Sequence, residues 1–222
     1  MIVHARPVQG YFLQPYERLP KELPSHWLGN DGAELASCLE CDQLLTCLLS
    51  LDVADPRLEL QAFPTARLNL QVCAACKRSS LAVTSAGELI SLRAAEDALA
   101  VPGRNLQPPT FTPVALHAIP ERVAETKTLA GEGRLDEAGG WAKAFDWHVP
   151  AHQVGGQPAL AGTAVPNVSC PLCSSPLPFF ASIACETTPD IAAAETEPAQ
   201  VLFFVCRSCF AVVSKTAFHR NP

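Results

Sequence analysis

Long apolar runs are missing from this chain. No stretch reaches the ~18 residues of a membrane-crossing helix; the nearest, Leu44–Leu51, is interrupted by Thr46, Cys47 and Ser50. The opening residues Met1 to Pro7 hold no apolar run of signal-peptide length. A cytoplasmic location with no membrane association is the expectation. Charge is also sparse, at 17% of residues, and its balance is acidic, with a formal net charge of −6. That balance disfavours general binding to nucleic acid while leaving room for a local basic patch. Recognisable catalytic motifs are absent too. There is no phosphate-cradling glycine loop, no nucleophile elbow and no His-Glu-x-x-His. An enzyme is therefore not expected.

Cysteine is what the chain has in quantity, ten residues in 222. Eight of them form four Cys-x-x-Cys pairs: Cys38/Cys41, Cys73/Cys76, Cys170/Cys173 and Cys206/Cys209. In a reducing compartment such thiols are better explained by metal than by disulfides. Two thiolates at i and i+3 on a tight turn aim both sulfurs at one point, and two such turns surround one Zn²⁺ tetrahedrally. Pro171 pre-sets the turn of the third pair by fixing φ at its first corner.

Joining the pairs within each half closes the shorter loops. The expected ligand sets are Cys38, Cys41, Cys73 and Cys76 in one site, and Cys170, Cys173, Cys206 and Cys209 in the other. Two Zn²⁺ per chain follow, and the loaded protein would carry a charge near about −10. Sites shared across the halves are the alternative. Zinc knuckles commonly place glycine after the second cysteine; here Asp42, Lys77, Ser174 and Phe210 stand there. A thioredoxin-type redox pair would need a βαβ setting, which none of the four has. Iron–sulfur runs are spaced differently, whereas rubredoxin-like iron uses the same four ligands as zinc.

The two halves read alike. Each has His-x-x-Gly (His26, His152), a Cys-x-x-Cys, an apolar strand with one further cysteine (Cys47, Cys185), a loop, a second apolar strand and a second Cys-x-x-Cys. Strands are expected at Leu44–Leu51, Leu68–Val72, Leu81–Val83, Val114–Ala118, Val201–Val205 and Phe210–Val213. Residues 1–25 read as an extended lead-in, and Glu186–Gln200 as a solvated loop. Short helices are expected at Arg93–Ala100, Glu121–Leu129 and Leu135–Phe145, the last two weakened by glycines.

The expected class is α+β, mainly β, built of two pseudo-symmetric β-rich repeats, each with a zinc-ribbon-like site of four cysteines. Residues 1–90 form the first repeat, 91–145 a connector covering one side of the core, and 146–222 the second repeat. Outside the clusters, Cys47 and Cys185 read as small core residues. His26 and His152 read as turn histidines or pocket residues. His148 beside Asp146 has the make-up of an acid–base pair in a surface loop. Trp27, Trp141 and Trp147 read as core or interface aromatics.

The string His152-Gln153-Val154-Gly155-Gly156-Gln157-Pro158, followed by Cys170-Pro171-Leu172-Cys173, Pro176-Leu177 and Cys206–Cys209, resembles the YwqG-like family, itself related to the programmed cell death protein two family. The likeness is weaker in the first half, where Gly29-Asn30-Asp31-Gly32 stands in place of the double-glycine turn. The resemblance implies a duplicated, largely β architecture with a Gly-Gly-x-Pro turn before each half's strands. It also implies work as a dedicated chaperone of a ribosomal protein, as an immunity protein, or as an RNA-processing accessory.

The functional expectation is a non-enzymatic zinc-binding protein that holds a protein partner. The alternatives are a zinc-ribbon RNA-binding accessory factor, using Lys77, Arg78, Arg207, Lys215, His219 and Arg220, or, less favoured, a hydrolase or redox enzyme.

Overall fold

A computed structural model describes residues 9–16, 24–29, 32, 34–93, 104–120, 152–156, 158, 166–189 and 197–218. Its strands are β1 (Gly10–Pro15), β2 (His26–Leu28), β3 (Thr46–Asp52), β4 (Arg67–Val72), β5 (Arg78–Val83), β6 (Leu89–Ser91), β7 (Arg104–Gln107), β8 (Thr112–Ala118), β9 (His152–Gly155), β10 (Phe179–Pro189), β11 (Glu197–Cys206) and β12 (Ala211–Phe218). Among the described residues the one helical element is a single 3₁₀ turn, Pro56–Leu58, whose cap Asp55 accepts from the Arg57 N–H at 3.0 Å.

All twelve strands join one antiparallel sheet in the order β4-β3-β2-β8-β1-β9-β10-β11-β12-β5-β6, with β7 alongside β10. The class is therefore all-β, which corrects the α+β expectation. The helical component rested on spans that, apart from Arg93, lie outside the described residues. What is described is short, proline-punctuated and strand-paired, which suits β-structure and interrupts helices.

Other expectations need correcting in the same direction. Residues 10–15 are no lead-in: β1 lies in the middle of the sheet, paired with β8 and β9. The 91–145 segment supplies β8, also central, between β2 and β1. The Glu186–Gln200 stretch is not simply a loop, since β10 runs on to Pro189 and β11 begins at Glu197. The strand after the second knuckle, β5, forms a hairpin with β6 across the Gly87 turn, and its other edge does not lie beside β4. It pairs with β12 from the other half, Ser80 opposite Val213 and Ser79 opposite Ser214.

Burial explains the sequence pattern of β11. Val201, Phe203 and Val205 enter the large cluster with Leu49, Leu70, Val114 and Ile183, while Leu202 and Phe204 enter a second cluster with Val168, Leu177 and Val213. A strand covered on both faces has no reason to alternate, so it reads as a continuous apolar run.

Three strands on each side pair alike, β2–β3–β4 and β9–β10–β11, whereas β12 returns beside β11 and β5 does not return beside β4. In β2–β3, Trp27 faces Ser50; in β9–β10, Gln153 faces Ser182. The β3–β4 register slips between Cys47 and Leu49, and the β10–β11 register slips between Phe179 and Ala181. These bulges stand at the same distance after a Cys-x-x-Cys in each half. By this register Cys47 corresponds to Phe179, and Cys185 to Val53. The two further cysteines are therefore not counterparts, which corrects the pattern read from the sequence.

Candidate metal centres

Each first knuckle is a closed turn at the entrance to a long strand. Cys38 N–H donates to Gln43 O and Asp42 N–H to Cys38 O; Cys170 N–H donates to Ser175 O and Ser174 N–H to Cys170 O, all at 2.8–2.9 Å. Isolated bridges, Ser37 with Leu44 and Ser169 with Pro176, pin the two stems. The second knuckles sit where β4 and β11 end, and Lys77 N–H donates to Cys73 O at 2.7 Å.

In all four, the residue after the second cysteine is left-handed: φ is 58° at Asp42, 58° at Lys77, 60° at Ser174 and 55° at Phe210. This is the position that favours glycine in knuckles. The non-glycine residues adopt the same backbone, so their departure from the usual pattern does not alter the turn.

The turns bring four sulfurs together twice: Cys38, Cys41, Cys73 and Cys76, and Cys170, Cys173, Cys206 and Cys209, each set within 4.8 Å of one another. Sulfurs around a tetrahedral Zn²⁺ with ~2.3 Å bonds lie about 3.8 Å apart. Cys38 Sγ is 3.8 Å from Cys76 Sγ, Cys41 Sγ 3.5 Å from Cys73 Sγ, and Cys173 Sγ 3.8 Å from Cys206 Sγ. The donor set therefore fits, and each cluster is placed to hold one metal ion. Burial is graded in the same way in both. Cys38, Cys73, Cys170 and Cys206 are buried, Cys76 and Cys209 partly so, and Cys41 and Cys173 face solvent.

The electrostatics also favour a cation. Hydrogen bonds from Ser175 draw the Cys173 thiol down to about 6. The backbone at Gln43 lowers Cys41. Their neighbours move the other way. Burial pushes Cys73 up to about 11 and raises Cys76, while the hydrogen bond with Cys173 takes Cys209 up to about 12. In each cluster one thiol ionises readily, and a divalent cation would offset the burial and thiol contacts that hold Cys73, Cys76 and Cys209 protonated.

The two histidines do a matching local job. Asp52 N–H donates to His26 Nδ1 at 3.2 Å, and Ala184 N–H donates to His152 Nδ1 at 3.3 Å. Each imidazole thereby satisfies one backbone donor of the neighbouring strand. His26 is 2% exposed and its Nε2–H donates to Asp55 Oδ2 at 2.9 Å. Both its nitrogens are occupied, so it is not placed to move a proton. Burial lowers the pKa of both rings, that of His152 to about 4.

Cys47 and Cys185 are buried, their thiols directed at Leu49 O and Ile183 O. Burial pushes Cys185 up to about 12, far from a reactive thiolate. Trp27 stacks on Phe111 at 4.7 Å. Trp141, Trp147, Asp146 and His148 lie outside the described residues, as do His219 and Arg220. Of the other basic residues near the knuckles, Lys77 is buried and Arg78 pairs with Glu40 at 2.7 Å.

One feature has no sequence signal: a groove of about 430 Å³ between the 3₁₀ turn and the Gly155-Gly156 turn, with Tyr11, Phe179 and Phe180 among its walls. Asp55 holds Arg57 through Nε and Nη2, and Arg57 Nη1 donates to Leu116 O at 3.1 Å. Arg207, projecting from the last knuckle, meets Glu59 at 3.2 Å. These residues are scattered through the chain, and only the sheet's curl gathers them.

These observations lead to a class: an all-β protein with two tetracysteine clusters, each able to hold a metal ion. Compared with known proteins, the chain matches no family model, no curated protein and no solved structure.

Proposed function

We propose that this chain is a non-enzymatic zinc protein, in which two Zn²⁺ ions stiffen a β scaffold that holds a protein partner. The observation that carries this reading is the completeness of both clusters. Four sulfurs fill a tetrahedral shell, whereas a catalytic zinc keeps one position open for water or substrate. His26, the buried histidine nearest to an acid–base constellation, has both nitrogens engaged. Cys38, Cys41, Cys73 and Cys76 would hold one ion and Cys170, Cys173, Cys206 and Cys209 the other, each supplying fixed charge and cross-linking rather than chemistry.

The thiolate sets suit a reducing compartment such as the cytoplasm. RNA binding is the weaker reading, because the knuckle bases Lys77 and Arg78 are buried or paired with an acid and the chain is acidic.

Metal quantification on freshly purified protein tests the first part. Two zinc per chain is expected. Visible thiolate-to-iron absorption would assign iron instead, and absence of metal would remove the reading. Affinity capture with the loaded chain tests the second. A stoichiometric protein partner that survives nuclease treatment supports it, and recovery of RNA alone opposes it.

A further inference from the structure

The groove beside the last knuckle has the make-up of a recognition site. Its walls are apolar and aromatic, contributed by Tyr11, Phe179, Phe180 and Val205, and its volume of about 430 Å³ is in the range of ligand sites. Two guanidinium groups border it, and they differ in how they are held. Arg57 is fixed by Asp55 on two nitrogens and by Leu116 O on the third, so its charge is already answered. Arg207 has only a single-point pair at 3.2 Å with Glu59, whose side chain is 69% exposed. An ion pair this exposed is weak and easily exchanged.

Arg207 itself stands between Cys206 and Cys209, on the turn of a cysteine cluster placed to hold a metal ion. The groove thus presents an exposed guanidinium on a closed turn beside apolar surface, covered by a carboxylate whose side chain is itself mostly exposed. With Glu59 swung away, Arg57, Arg207 and Asp55 leave a net charge of one positive unit, matched by one negative group.

We infer that this groove binds an extended peptide segment of the partner protein, with one acidic side chain displacing Glu59 from Arg207 and an adjacent apolar side chain seated against Tyr11 and Phe179. Glu59 is the internal stand-in that shows where the ligand carboxylate sits. The inference rests on the protein-binding reading above and names the site and the chemistry of the segment. A polyanion such as RNA fits poorly, because one net positive charge lies in an otherwise acidic chain.

The test uses the full, zinc-loaded chain and two capped peptides: one with a glutamate between apolar residues, and its glutamine counterpart. Isothermal titration is the readout. The glutamate peptide should bind, and the glutamine peptide should bind about tenfold more weakly. Glu59→Gln should tighten the glutamate peptide by about two- to fivefold, since the competing pair is gone. Arg207→Ala should weaken it about tenfold. Both substitutions are at exposed positions, and retention of two metals per chain checks that the fold is kept.

Equal affinity for the two peptides, or an Arg207→Ala chain that binds as well as the parent, would overturn the inference. If a captured protein partner is held equally by the parent and by Arg207→Ala, the scaffold reading stands and the groove falls. If neither chain captures a protein, the scaffold reading falls.

Discussion

Asp42, Lys77, Ser174 and Phe210 show what a single position costs and does. A left-handed backbone in a residue with a Cβ is unfavourable by roughly 1–2 kcal/mol, yet all four knuckles adopt it. Ser174 is exposed, so Ser174→Gly should gain up to about 1 kcal/mol in chemical denaturation, after allowance for glycine's extra freedom when unfolded. Phe210 packs edge-on against Phe63 at 5.1 Å, so Phe210→Gly should instead lose about 1–3 kcal/mol.

His152 sets a pH dependence. Burial holds its pKa at about 4 against an ordinary value of 6.5. Between these values the unfolded chain binds more protons than the folded one. Stability should therefore rise with pH across that window, by up to about 3 kcal/mol, and be lost as pH falls through it. His152→Gln, which keeps an acceptor for Ala184 N–H, should flatten that slope in denaturant midpoints measured from pH 4 to 7. Metal release at low pH affects parent and variant alike, so the difference between them isolates the histidine.

Elements meet at two kinds of seam. At the knuckles, the sulfurs decide. Cys73→Ser should reduce bound metal from two ions to one and destabilise the chain broadly, whereas Cys185→Ser should keep both ions, because Cys185 is a buried neutral thiol that belongs to neither cluster. Metal quantification with thermal melting distinguishes the two. At the β1–β9 crossing, backbone proximity decides. Gly155 has φ +67°, and a Cβ there would stand 2.8 Å from Gln9 O. Gly155→Ala should therefore cost about 1–3 kcal/mol, read as a lowered denaturant midpoint with metal content unchanged.

The strands themselves were legible where one face or both are apolar: β3, β4, β8, β11 and β12 all overlap the runs the pattern marked, although β11 begins earlier, at Glu197, and β12 runs further, to Phe218. β1 was not. Gly10-Tyr11-Phe12-Leu13-Gln14-Pro15 ends in proline and alternates poorly, and its place between β8 and β9 comes from partners distant in sequence.

In the molecule taken whole, the pairing of β5 with β12 matters most, because it ties the strand leaving the first cluster to the strand leaving the second. Ser79 Oγ lies 3.0 Å from Ser214 Oγ, and Thr216 Oγ1 donates to Lys77 O at 2.6 Å, so the seam also carries side-chain bonds. The two halves should consequently not melt independently. Stripping metal with a chelator should lower the melting temperature by more than about 10 °C, given the several kcal/mol that structural zinc contributes. It should do so in one transition rather than two. Two separate calorimetric peaks, each tracking one cluster, would show that the sheet does not couple the halves.

The cysteine sets and most of the strands around them can be read from residue order. Ligand spacing is a local matter, and a Cys-x-x-Cys turn needs only its own few residues to aim two sulfurs at a point. Long-range pairing is what makes the sheet continuous, sets β1 and β8 at its centre, puts Cys47 and Cys185 out of step, and gathers Arg57, Glu59 and Arg207 at one groove. Those outcomes depend on which edge pairs with which across the chain. Backbone hydrogen bonds are the same for every strand, so no short run of residues announces its partner.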